Sequence, residues 1–174
     1  FIWEGGLSFH GGLMGVIVSL YIYSYQHRIS FLRLADAICM AMPIGLGLVR
    51  IGNFLNGELY GRPTDGTWGF IFPTDPYGFT RHPSQLYEAF FEGLFLFILL
   101  IFIGTKTNKH GVISGSFLIA YGLIRFFIEY FRQPDSHMGF VALQLSMGQL
   151  LSIPMVIIGL ILLTKSLRRN EAIS

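Results

Sequence analysis

The chain has 174 residues, 52% of them hydrophobic and only 13% charged, and its formal net charge is +2. Together with a mean hydropathy of +0.57 this points to a membrane protein, and so small a charge without a basic stripe excludes a nucleic-acid partner. Cys39 is the single cysteine, which excludes an internal disulfide and an all-cysteine metal site.

The chain opens Phe1-Ile2-Trp3-Glu4, with neither an initiator Met nor a basic leader, so an N-terminal part is expected to be absent. Five apolar stretches follow, over residues 9–25, 34–49, 84–103, 111–131 and 146–164. Each is near the roughly 20 residues that a helix needs to cross the hydrocarbon core. The expected fold is all-α: a polytopic transmembrane helical bundle of about five spans, one integral membrane domain over residues 1–174. The first two stretches are short and read as tilted or partly re-entrant. Pro83 suits a helix start, and Pro154 predicts a kink in the last span. Between the second and third stretches, residues 62–82 are rich in Pro and Gly and hold Asp65, Asp75 and Arg81, an aqueous loop on the outer face.

Orientation follows from the cations. The loops after stretches one, three and five hold Arg28 and Arg33, Lys106 and Lys109, and Lys165, Arg168 and Arg169, which places them in the cytoplasm by the positive-inside rule. His10, the segment 50–58, His82, and Arg125 with Glu129 and Arg132 then converge on the opposite, outer side.

That convergence is unusual for a lipid-facing bundle. Residues 43–62, PIGLGLVRIGNFLNGELYGR, carry Arg50, Asn53, Asn56, Glu58 and Arg62 among Gly52, Gly57 and Gly61. Each polar group is costly at a membrane boundary unless it is paired or meets a ligand. Arg125, Glu129 and Arg132 recur at i, i+4 and i+7 and are expected to share a helical face, as are Gln85, Glu88 and Glu92 at i, i+3 and i+7. An Arg125–Glu129 pair locking two spans is the plain structural reading. Two arginines at membrane depth, at roughly 2.5–3.5 kcal/mol each, argue for a ligand. Other features have simpler readings: Asp36 as a helix N-terminal charge or a partner of Arg33, Tyr21, Tyr23 and Tyr25 as an interfacial belt, Gly11 with Gly15 and Gly111 with Gly115 as helix-packing pairs.

The sequence holds no Walker A, GxSxG or HExxH motif. Arginines, histidine and amides without a nucleophilic Ser or Cys suit a reaction whose nucleophile arrives with the substrate. The planar guanidinium fork matches a phosphate, such as an anionic lipid headgroup.

The segment Arg50-Ile51-Gly52-Asn53-Phe54-Leu55-Asn56-Gly57-Glu58-Leu59-Tyr60-Gly61 resembles the R-x-G-N-F-x-N-x-E-x-x-G signature of the prolipoprotein diacylglyceryl transferase family. Three further blocks agree in order: residues 5–12 (GGLSFHGG), residues 81–88 (RHPSQLYE), and Arg125 with residues 129–135 (EYFRQPD). Val49 stands where the family usually has Gly, read as a small packing adjustment, and the family typically has about seven spans.

The resemblance implies transfer of the diacylglyceryl group of phosphatidylglycerol to the thiol of the lipobox cysteine of a bacterial preprolipoprotein, in the inner membrane, with the C-terminus cytoplasmic. It implies no cofactor and no metal. His10 would act as general base, since it titrates where a thiol of pKa near roughly 8.5 can be deprotonated; Glu58 or Glu88, raised by burial, is the alternative base. Arg50 and Arg125 would hold the departing phosphate. Asn53, Asn56 and Glu58 would position glycerol or the lipobox backbone, Glu129 and Arg132 would orient Arg125, and Gly61, His82 and Glu88 complete the expected binding set. The rival reading is a transporter or channel for an anionic solute, supported by the same arginines and by glycines at membrane depth. Against it, the polar residues cluster on one side and the spans show no internal repeat.

Overall fold

A computed structural model describes residues 9–133 and 146–168. Its elements are α1 (Phe9–His27), α2 (Phe31–Leu55), β1 (Phe70–Ile71), β2 (Thr80–Arg81), α3 (Ser84–Glu88), a π-helical stretch (Ala89–Phe95), α4 (Leu96–Gly104), α5 (Val112–Ile128) and α6 (Met147–Arg168). α3, the π stretch and α4 run on as one helix, Ser84–Gly104. That helix, α2 and α6 are long and apolar enough to cross a membrane, and α5 is a shorter apolar helix. The protein is an all-α, polytopic membrane protein.

α2 differs from the expectation of a short or re-entrant second span. It has 25 residues and runs through Arg50 and Asn53 to Leu55, with Pro43 inside it. The polar residues that suggested an early end are carried on the helix itself. Pro83 caps the third span, as expected, and Pro154 lies inside α6.

Small residues let the helices approach, since between spans it is close packing that binds. A Cβ on Gly115 would lie 2.9 Å from the Leu163 nitrogen, and one on Gly122 2.9 Å from Val156 Cγ2, so α5 and α6 pack nearly backbone to backbone. Gly47 of α2 and Gly93 of the π stretch meet in the same way, a Cβ on Gly93 lying 2.8 Å from the Gly47 Cα. Gly15, by contrast, has open space around it among the described residues.

Asp36 has a different job from either expected one. It is buried, and its carboxylate accepts from the Gly111 N–H (2.6 Å), the Ser114 N–H (2.8 Å) and the Ser114 hydroxyl. A side chain of α2 thus caps the N-terminus of α5, whose own cap position, Gly111, has a left-handed backbone. At the same end Lys109 Nζ donates to the Leu167 carbonyl at the foot of α6 (2.6 Å). The joins after α1 and α4 and the end of α6 therefore share one end of the bundle, as the cation pattern predicted.

The third span explains its own π stretch. Glu88, Glu92, Leu96 and Leu100 recur every four residues and all are fully buried. A pure α-helix advances each such step by about 40°, fanning the four over about 120°. The wider π turn takes more residues per revolution and turns that drift back, so two carboxylates and two core leucines face inward together. Leu96 and Leu100 pack with Phe117 of α5, flanked by Cys39 and Met40 of α2.

Beyond α2 the chain forms an antiparallel hairpin, Phe70 opposite Arg81 and Ile71 opposite Thr80. Two such short strands are marginal alone, and here side chains fix them. Arg81 grips Asp75 with two bonds, Nε to Oδ2 at 2.6 Å and Nη2 to Oδ1 at 3.1 Å, and its guanidinium lies 4.7 Å from the Tyr60 ring centre. Asp75 also accepts from the Tyr77 and Phe79 N–H groups. Phe54 at the end of α2 meets Phe70 and Phe72 edge to face, seating the hairpin on the helix.

Candidate active site

The Gly47 and Gly93 contact brings α2 against the π stretch less than one turn below Arg50. Arg50 Nε reaches Glu88 Oε2 at 2.7 Å and Glu92 Oε2 at 3.8 Å. From α5, Arg125 Nη1 meets the same two carboxylates, at 3.1 Å and 3.5 Å, and its Nη2 meets Glu129 Oε2 at 3.4 Å. Two arginines 75 residues apart in sequence are therefore joined through one pair of buried glutamates. Glu129 has room because α6 offers Gly148 beside it, where a Cβ would lie 2.8 Å from Glu129 Oε2.

The cluster is polar in a way that packing alone does not require. Three carboxylates face two guanidinium groups, and Glu88 Oε1 and Glu92 Oε2 are buried with no hydrogen-bond partner among the described residues. Both arginine side chains keep 15% of their surface exposed, while the glutamates keep almost none. The carboxylates are the floor, and the cations are what an incoming group would meet.

Of the expected residues, Arg50, Arg125, Glu88 and Glu129 come together here. Glu92 belongs with them, although the sequence marked it only as sharing a face with Gln85 and Glu88; a carboxylate one helical step beyond Glu88, inside an apolar run, was the signal. The expected shared face of Arg125, Glu129 and Arg132 fails at its last member. α5 ends at Ile128 with Glu129 as its cap, and Arg132 is held through its backbone, bridged to Gly61, its carbonyl accepting from Arg62 Nε at 2.9 Å.

The remaining residues form a second tier around the end of α2. The Asn53 carbonyl accepts from the Glu58 N–H (2.8 Å), Asn56 caps α2, and the Asn56 and Glu58 side chains are exposed. The turn after them is clamped from the third span, Gln85 Nε2 donating to the Glu58 carbonyl (2.6 Å) and the Ser84 hydroxyl to the Leu59 carbonyl (3.3 Å). Gln85, fully buried, is thus a residue of the site that the sequence named without a role. Gly61 is a packing necessity: a Cβ there would lie 2.5 Å from the Phe131 carbonyl oxygen and 2.7 Å from that of His82. His82 is half-buried, its ring 5.6 Å from Phe131 and its Nδ1 3.3 Å from the Tyr87 hydroxyl. His10 lies in the first turn of α1, but its side chain is outside the described residues, as are residues 5–8 and 134–135 of the resembling blocks.

Among the described residues no group of His, Cys, Asp and Glu could hold a metal ion. An apolar cavity of about 270 Å³ opens between the end of α2 and the hairpin, lined by Phe54, Leu55, Asn56, Phe70 and Phe72 among others.

Comparison with known proteins gives this geometry a context. Phosphatidylglycerol–prolipoprotein diacylglyceryl transferase of Geobacter sulfurreducens is 52% identical over 169 residues, which are 97% of this chain and 65% of that protein. The proteins of the same name from Bordetella parapertussis and Idiomarina loihiensis are 50% and 48% identical, over 91% and 95% of this chain and 61% and 62% of their own lengths. The chain thus spans less than two thirds of the length of these curated relatives. The model of the family described as prolipoprotein diacylglyceryl transferase matches residues 1–165, a stretch that includes both arginines of the cluster and every carboxylate they touch, and the chain belongs to that family.

Proposed function

We propose that the full-length protein transfers the diacylglyceryl group of phosphatidylglycerol to the thiol of a lipobox cysteine in a bacterial preprolipoprotein. The observation that carries the reading is the junction of Arg50 and Arg125 on Glu88 and Glu92. In the reaction a carbon–sulfur bond forms at the glycerol carbon as its bond to the phosphate oxygen breaks, glycerol phosphate leaves, and the thiol proton passes to a base. Arg50 and Arg125 would stabilise the charge that grows on the leaving phosphate, where preorganised donors act most strongly. Glu88, Glu92 and Glu129 would hold the two forks in place. His10 is our choice of base; counted from the turn that joins α1 and α2, it stands about as far along α1 as Arg50 does along α2. Asn53, Asn56 and Glu58 follow Arg50 along and just beyond the end of α2 and would position the glycerol or the peptide backbone. The protein would lie in the bacterial inner membrane with this site toward the outer face and its C-terminus in the cytoplasm.

The test is incubation of the full-length protein with phosphatidylglycerol and a lipobox peptide. A mass gain of one diacylglyceryl unit on the cysteine is expected. No gain, with flux of an anionic solute through liposomes instead, would overturn the reading in favour of a transporter. His10→Gln should abolish transfer, and retained turnover would move the base role to Glu58 or Glu88.

A further inference from the structure

The hairpin beyond α2 carries more exposed apolar surface than a water-facing loop needs. Trp68 is 62% exposed, Ile71 68% and Tyr77 73%, and Leu55, at the end of α2 beneath them, is 77% exposed. Leu55 and Ile71 line the same open cavity, so the apolar surface of the span continues onto the hairpin. Residues 68–79 contain one charged side chain, Asp75, and it is buried in the grip of Arg81. What faces outward is therefore aromatic, apolar and uncharged. The hairpin also has no reach, because its chain leaves one span at Leu55, enters the next at Ser84, and is pinned to the first by Phe54.

We propose that residues 68–79 form a membrane-interface anchor, resting in the headgroup and upper acyl boundary of the bilayer at the Leu55 end of the bundle. Tryptophan and tyrosine favour that boundary because one side of the ring is apolar and the other can be satisfied by polar groups. Since its single charge is neutralised within the protein, the anchor takes neutral and anionic phospholipid alike. It also fixes the height of the adjacent Asn56 and Glu58 turn relative to the headgroups. The inference rests on the membrane-spanning fold and stands apart from the transferase reading.

The experiment uses the full-length protein with Trp68 as its only tryptophan, Trp3→Phe among the replacements, in phosphatidylcholine vesicles that hold no transferase substrate. Trp68 emission should be blue-shifted, lost largely to lipids brominated high on the acyl chain, and insensitive to aqueous iodide. Adding phosphatidylglycerol should leave all three readings unchanged. Ile71→Asp should weaken quenching by brominated lipid while helix content by circular dichroism holds. Quenching by iodide in place of brominated lipid would place the hairpin in water and overturn the proposal. Protection from both quenchers would overturn it too, since a protein segment or a second copy would then be the cover, as would a need for anionic lipid or an undiminished signal in Ile71→Asp.

Discussion

Arg50 and Arg125 owe their positions to carboxylates, so removing one partner does more than delete a contact. A buried charge left unpaired costs about 3–5 kcal/mol. Glu92→Ala is expected to lower the thermal unfolding temperature of the full-length protein in detergent by that order of stability. Arg50→Gln is expected to cut transfer by about 10²–10³-fold, the usual effect of removing one transition-state donor, measured as kcat with lipobox peptide; a change confined to KM would assign Arg50 to ground-state binding alone. Gly61 sits at the other extreme of chemistry, with no side chain to act. Gly61→Ala forces a methyl into carbonyl oxygens 2.5 Å and 2.7 Å away, and overpacking of this kind costs about 1–3 kcal/mol. Its unfolding temperature should fall even where lipid binding survives. The sequence made both arginines legible, because a cation in an apolar run has few bland explanations. It could not separate Gly61, which serves packing, from the polar residues around it, which face an open surface. It also could not place Arg132, since the i+7 spacing assumed a helix that ends four residues earlier.

Among the elements, the hairpin depends on one ion pair that lies outside the spans. The Arg81 guanidinium, bonded to Asp75, holds that carboxyl below the usual carboxylate range. A group whose folded pKa is depressed stabilises the fold fully above its unfolded value, and the contribution is lost as pH falls through the folded value. The hairpin should therefore hold its Trp68 signal at neutral pH and through mild acid, and lose it only below the ordinary carboxylate range near roughly 3.9. Asp75→Asn should remove the acid transition and weaken the hairpin at every pH, read by Trp68 emission. Among the described residues three helices, α2, Ser84–Gly104 and α6, were readable from apolar length because the bilayer sets that length physically, while α5 is shorter. Hydropathy gave no warning that α2 continues through Arg50 and Asn53, because Arg50 is paired with carboxylates of another span that a single segment does not reveal. The π stretch left no trace in composition either, since its residues would suit an ordinary helix equally well.

At the scale of the whole molecule, polar chemistry is sorted to two ends with different tasks. One end is closed by Asp36 across α2 and α5 and by Lys109 on α6, which is structural work. The other gathers the arginine cluster, the clamped turn and the hairpin. Between them, the wide turn in the third span is what lets the glutamates above and the leucines below face the same interior. That span is consequently specified by residue count more than by residue identity. Phe90→Leu, on the exposed side of the stretch, should leave the protein monodisperse in detergent. Deleting one residue from α4, such as Ile98, where helical bonding is already regular, turns everything after it by about 100°. The deletion should swing Leu100 away from Phe117 toward lipid, so it is expected to abolish a monodisperse peak in size-exclusion chromatography. Within this helix a shift in length is thus a graver lesion than almost any exchange of side chain, and natural variation in the span should run to substitutions and avoid gaps.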